Sequence, residues 1–185
     1  MLENALQYSH TLLKEVVHAD DTVIDATMGN GHDTKFLAEL VGVNGTVYSF
    51  DIQELALKNT TELLNQNNLT DRVKLIQDSH ANIDQYVIQP ITGAIFNLGY
   101  LPGGDKSEIT HASSTLTAIE ACLNLLQSSG RVILVCYYGH LGGKEELAQV
   151  QRCTSNLDQH QYQVLEYQFT NQIHNPPILI AIEKR

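Results

Sequence analysis

The sequence predicts an α/β fold: a central, mostly parallel seven-stranded sheet with helices on both faces and an antiparallel hairpin at its C-terminal end. Three observations carry that expectation. Short apolar runs of strand length alternate with stretches whose apolar residues recur at helical spacing. Such alternation implies parallel strands joined by helical crossovers. The last two strand-like runs follow one another with only a short link, so they should pair antiparallel.

Residues 2–18 set Leu2, Leu6, Leu13 and Val17 on one face of a helix that ends near Asp20 and Asp21. Apolar runs at 22–26, 46–50, 73–77, 93–97 and 131–137 read as the parallel strands. Between them the spacing predicts helices at about 33–42, 53–67, 82–88 and 110–128. The fourth is the clearest, with Leu116, Ile119, Leu123 and Leu126 on one stripe. A further helix at about 143–159 turns Leu147, Val150 and Leu157 inward. The hairpin strands are expected at about 162–169 and 178–183, joined by a loop ending in Asn175-Pro176-Pro177. No repeat or linker interrupts the 185 residues, so 1–185 read as a single domain with the 1–20 helix packed on it.

Apolar residues make up 43% and charged residues 17%, the profile of an ordinary globular protein. Neither a signal-peptide pattern nor an apolar run of membrane-spanning length is present, so a cytoplasmic protein with no membrane partner is expected. Cys122, Cys136 and Cys153 have neither metal-ligand spacing nor the density of a disulfide framework. The eight histidines form no ligand pair at helical spacing, so no metal site is expected. Net charge is −10, from 11 Lys plus Arg against 21 Asp plus Glu, which argues against broad phosphate neutralisation.

The first strand runs into Asp25-Ala26-Thr27-Met28-Gly29-Asn30-Gly31-His32-Asp33. Gly29 and Gly31 let the backbone turn tightly and approach a ligand where a helix begins. Thr34 and Lys35 stand where a dinucleotide fingerprint expects its third small residue, which disfavours a pyrophosphate. Asp51 ends the second strand about 20 residues after Gly31, the place from which a carboxylate accepts ribose hydroxyls. Asp78 ends the third, followed by Ser79 and His80, which could border an adenine. Any one of these aspartates could be a helix cap. Three carboxylates at successive strand ends repel a pyrophosphate and suit a cofactor carrying a ribose, an adenine, an amino group and a sulfonium. S-adenosylmethionine has all four. The expected cofactor residues are Asp25, Thr27, Gly29, Asn30, Gly31, Asp33, Asp51, Gln53, Asp78, Ser79 and His80.

These motifs resemble the first three of the class I S-adenosylmethionine-dependent methyltransferases, which implies their Rossmann-like fold. More narrowly, Phe96-Asn97-Leu98-Gly99-Tyr100-Leu101-Pro102-Gly103-Gly104-Asp105-Lys106 resembles the signature of a small bacterial family known as rRNA methylases. Tyr137-Tyr138-Gly139-His140-Leu141-Gly142-Gly143-Lys144-Glu145-Glu146 and Asn175-Pro176-Pro177 resemble its later motifs. The family includes the enzyme that methylates 5-aminomethyl-2-thiouridine at the tRNA wobble position. The resemblance therefore implies tRNA, through its anticodon stem-loop, as partner, and a homodimer.

Amine methyltransferases of the wider superfamily often carry Asn/Asp-Pro-Pro-aromatic at the end of strand four; here Asn97, Leu98, Gly99 and Tyr100 take those places. The resemblance implies that Asn97 accepts an N–H of the target amine and that Tyr100 stacks on the base. Leu-Gly in place of Pro-Pro leaves the acceptor geometry open. Asp105 either takes the amine proton or shapes the Gly103-Gly104 turn. Lys106 pairs with a phosphate or with Asp105, or is a solvated lysine. His140, set among glycines just past the fifth strand, is expected to face the substrate. The cysteines lie in strand or helix and read as core, which argues against a covalent cysteine mechanism. Three other readings remain at this stage: a methyltransferase for a ribosomal base or small amine, a nicotinamide-dependent oxidoreductase, against which the absent third glycine counts, and a non-catalytic binding module.

Overall fold

The structure, a computed structural model, describes residues 1–99 and 111–185. Its elements in chain order are α1 (Ala5–Lys14), β1 (Thr22–Asp25), α2 (His32–Val41), β2 (Thr46–Asp51), α3 (Glu54–Gln66) and β3 (Val73–Gln77). Then follow α4 (Ile83–Tyr86), β4 (Ile91–Leu98), α5 (Ala112–Leu125), β5 (Leu126–Cys136), α6 (Gly143–Ser155), β6 (Tyr162–Tyr167) and β7 (Ile178–Lys184).

The seven strands form one sheet in the order β3-β2-β1-β4-β5-β7-β6. Strands β1 to β5 pair parallel, and β7 runs antiparallel to both β5 and β6. The expected mostly parallel sheet with its C-terminal antiparallel hairpin is therefore present. One feature of the hairpin is set by tertiary pairing alone: β7 inserts between β5 and β6 instead of extending the sheet beyond β6. The chain moves outward from β1 through β2 to β3, then returns to place β4 on the other side of β1. The crevice where the order reverses, beyond the carboxyl ends of β1 and β4, is where open α/β sheets hold ligands.

Both faces of the sheet are covered, so its strands carry near-continuous apolar runs. Val23, Val47, Ile95 and Ile133 pack with Leu12, Leu13, Leu37 and Leu64, from α1, α2 and α3, on one face. Ile24, Phe50, Phe96 and Leu134 pack with Ile83, Ile119 and Val150, from α4, α5 and α6, on the other. All of these are buried.

Several elements differ from their sequence expectation: α6 ends at Ser155, so Leu157 lies past the helix while still packing on the core. Helix α1 starts at Ala5 because Asn4 caps it, accepting from the Gln7 N–H at 2.8 Å in a capping box. Leu2 then precedes the helix, and it and Leu6 are exposed, while Ala5, Ser9, Leu12 and Leu13 face inward. The helix expected at 82–88 shortens to a single turn, α4, preceded by a 3-10 turn at His80–Asn82. Strand β5 begins at Leu126, directly after α5, because Leu126 pairs with Ile91 at the start of β4. Leu126 is buried either way, so its spacing alone does not separate the two states.

Candidate active site

The turn after β1 is built from its own residues. Gly29 and Gly31 have φ of 54° and 82°, and Gly31 caps α2. A Cβ on Gly31 would lie 2.7 Å from the Thr60 hydroxyl of α3, so glycine is required there on two counts. Asp25 is fully buried under the turn, accepting from the Thr27 N–H at 3.1 Å and lying 2.6 Å from the Thr34 hydroxyl. Burial, then the nearby charge of Asp33, pushes its carboxyl up to about 7. The carboxylate of Asp25 thus shapes the turn from beneath. Asn30 ties the turn to α3, its side-chain oxygen accepting from Asn59 at 2.9 Å.

At the end of β2, Asp51 is half-buried and accepts from the N–H groups of Gly29 and Gln53, each at 3.0 Å. Each carboxylate oxygen keeps capacity for a further donor, so Asp51 could also hold ligand hydroxyls. Asp78 follows β3. The Tyr86 hydroxyl at 2.8 Å, the Ser79 N–H at 2.7 Å and the Asn82 amide at 2.9 Å hold its carboxyl below the usual carboxylate range. Ser79 in turn accepts from the Ala81 N–H at 3.2 Å. His80 turns inward. It is buried, its Nδ1–H donates to the Ala26 carbonyl at 3.0 Å, and burial holds its imidazole below the ordinary histidine range.

The far side of the crevice is assembled from distant segments. Asn97, the penultimate residue of β4, donates its backbone N–H to the Thr27 hydroxyl at 2.7 Å. Its side-chain Nδ2 donates to Oδ2 of Asp33 in the first turn of α2. Its Oδ1 is buried and has no hydrogen-bond partner among the described residues. Asp33 is itself buried, and its Oδ1 lies 2.5 Å from Nε2 of His10 in α1. The His10 ring stacks on Phe36, centroids 3.8 Å apart and planes 6° apart. Burial and the charge of Asp33 raise the Tyr137 hydroxyl above the ordinary tyrosine range.

His140 lies on the same side. Its Nδ1–H donates to the Leu141 carbonyl at 3.0 Å, and its Nε2 would be 3.9 Å from a Cβ on Gly99, two residues past Asn97. Gly143 opens α6 so close to this loop that a Cβ would sit 2.8 Å from the Tyr138 backbone. Asn175 and Pro176 line a neighbouring groove with Tyr138. Tyr100, Asp105 and Lys106 lie outside the described residues. Burial raises the Cys122 and Cys153 thiols and pushes Cys136 up to about 12, so none of the three is poised as a thiolate nucleophile.

The structure thus brings Asn97, Asp33, Thr27 and the glycine turn together, with His140 beside Gly99. It buries Asp25 and His80 beneath that surface. His10 joins this cluster through Asp33, and the sequence reading missed it. Its one local signal is that it falls on the stripe of Leu13 and Val17, a polar residue at an inward position.

Strand order, glycine turn and acidic strand ends define the class: a class I S-adenosylmethionine-dependent methyltransferase fold. Residues 47–183 match the family described as "Putative rRNA methylase". The chain is 37% identical over 193 residues to a chloroplastic tRNA (mnm(5)s(2)U34)-methyltransferase of Arabidopsis thaliana, covering 99% of this chain and 70% of that protein. Over the full length of both chains it matches a "putative rRNA-methylase" of Clostridium thermocellum, at 46% identity and a TM-score of 0.98. It likewise matches a "putative methyltransferase" of Streptococcus mutans in complex with SAH, at 44% identity and a TM-score of 0.93. The chain belongs to this rRNA methylase family of methyltransferases.

Proposed function

We propose that this chain transfers a methyl group from S-adenosylmethionine to the amine of 5-aminomethyl-2-thiouridine at the wobble position of tRNA, giving 5-methylaminomethyl-2-thiouridine. One observation carries the reading: the buried, unpartnered Oδ1 of Asn97, an acceptor at the switch point beside the glycine turn. An N–H donor is what such an oxygen lacks, and a neutral amine donates one while keeping a lone pair for attack. The wobble-uridine relative supports the choice of amine.

When bound, S-adenosylmethionine supplies an electrophilic methyl on a sulfonium. On this reading Asp51 accepts the ribose hydroxyls, with Gly29 and Gln53 fixing its carboxylate in advance. Gly31, Asn30 and Gln53 shape the approach of the backbone, and Asp78 and Ser79 border the adenine. Asn97 orients the amine, and His140 closes the acceptor side beside Gly99. Tyr100 stacks on the base, Asp105 takes the proton released from nitrogen, and Lys106 meets a phosphate. We place the reaction in the cytoplasm, on a homodimer that presents two such sites to the anticodon stem-loop. No helix among the described residues is long and apolar enough to cross a membrane.

The test is nucleoside mass spectrometry of RNA from a deletion strain. Accumulation of the aminomethyl nucleoside with loss of its methylated form is the expected result. Unchanged tRNA with a methyl missing from ribosomal RNA would move the substrate to the ribosome, in keeping with the family description.

A further inference from the structure

We propose that His10 and Asp33 are positioning residues for methyl transfer: they hold the Asn97 amide with its oxygen toward the acceptor amine, which makes α1 part of the active site. The inference rests on the reading of Asn97 given above and extends it to two residues that need not touch either substrate.

Nδ2 of Asn97 donates to Oδ2 of Asp33, so the side of the amide facing Asp33 is its NH2 group. The amide is planar. Fixing its nitrogen on Asp33 therefore fixes Oδ1 on the opposite side, where it is buried without a donor among the described residues. The backbone of Asn97 is pinned as well, through the Thr27 hydroxyl at 2.7 Å. Without Asp33 the amide could rotate and offer N–H groups to the amine, which would repel its hydrogens and compete for its lone pair.

Asp33 needs a second partner, because a buried carboxylate is costly unless its oxygens are satisfied. His10 supplies it at 2.5 Å. The ring of His10 is clamped flat on Phe36, so its Nε2 is fixed in direction as well as distance. The helix that carries it is also fixed at several points. Arg131 of β5 donates to the Leu12 carbonyl at 2.8 Å and pairs with Glu15 at 2.6 Å. The Tyr167 hydroxyl of β6 donates to the Glu3 carbonyl at 2.6 Å. Gly93 of β4 lets α1 approach so closely that a Cβ there would lie 3.0 Å from Leu13. A helix serving only to cover the sheet would not need a half-buried histidine aimed at a buried carboxylate.

Two readouts on the full chain test this. The first is the side-chain amide NMR signal of Asn97, assigned by its absence in Asn97→Ala. In the cofactor-free protein one of its protons should be shifted downfield and slow to exchange. That signature should disappear in Asp33→Ala, weaken in His10→Ala and return in His10→Gln, which keeps a donor. The second readout is methyl transfer to tRNA. His10→Ala should lower kcat about tenfold with KM and S-adenosylmethionine affinity unchanged, and should have no further effect in an Asn97→Ala background. A normal Asn97 signal in both His10→Ala and Asp33→Ala overturns the proposal, as does full additivity of His10→Ala with Asn97→Ala. If the NMR signature behaves as expected while wild-type protein leaves tRNA unmethylated, the positioning stands and the substrate assignment fails.

Discussion

At the ends of β1, β2 and β3, the carboxylates are held largely by donors from the strand-end loops themselves: Thr27 for Asp25, Gln53 and, from the neighbouring β1 turn, Gly29 for Asp51, Ser79 and Asn82 for Asp78. At the end of β4, Asn97 is held by α2 and, through Asp33, by α1. The first region is pre-organised by local backbone geometry and should survive moderate changes elsewhere. The second depends on the packing of separate elements, so an alteration in α1 reaches it. The cofactor side and the acceptor side of one crevice therefore have different sensitivities, and substitutions can separate them.

The largest effect should come from Asn97→Ala. If Asn97 orients the amine as proposed, its loss misplaces the reacting group, so turnover should fall roughly 10²-fold or more while S-adenosylmethionine still binds. Calorimetry beside single-turnover kinetics checks this, and equal losses in both would move Asn97 to the cofactor side. Asp51→Ala should do the reverse, weakening cofactor binding by roughly 1.5–3 kcal/mol through lost charge-assisted bonds. Unchanged affinity in a folded variant would remove Asp51 from the cofactor site.

Gly31→Ala tests the locally built turn itself. The left-handed φ and the approach to Thr60 should together destabilise the protein by about 1–3 kcal/mol, read as a lower denaturant midpoint. A neutral result would mean that the turn and α3 yield more readily than their contact implies.

The smallest effect is a pH dependence. Asp25 has its carboxyl raised from 3.8 to about 7, so the fold favours the neutral acid. Its contribution to stability is fully present below 3.8 and is lost as pH rises through about 7. Asp25→Asn stays neutral throughout. Wild-type protein should therefore lose more of its urea midpoint between about pH 5 and about pH 8 than the variant does. Parallel losses would assign the pH dependence to other groups.

Sequence by itself determined what rests on short-range rules. Short apolar runs and helical spacing located all seven strands, β5 without its first residues, and most helices, and their alternation implied a parallel sheet closed by a hairpin. The glycine turn and the acidic strand ends were also legible, because Gly29, Gly31 and the aspartates bond within a few residues of themselves or to the next strand. Leu2 and Leu6 misled because a helical stripe does not say where a cap begins the helix; Asn4 does. Tertiary structure alone decided that β7 lies between β5 and β6, that β5 starts at Leu126, and that His80 and Asp25 are buried. It also decided that His10 meets Asp33 and that Asp33 meets Asn97. Those contacts join residues 23 and 64 positions apart, and no local propensity encodes which distant partner a polar side chain will find once the sheet has ordered its strands.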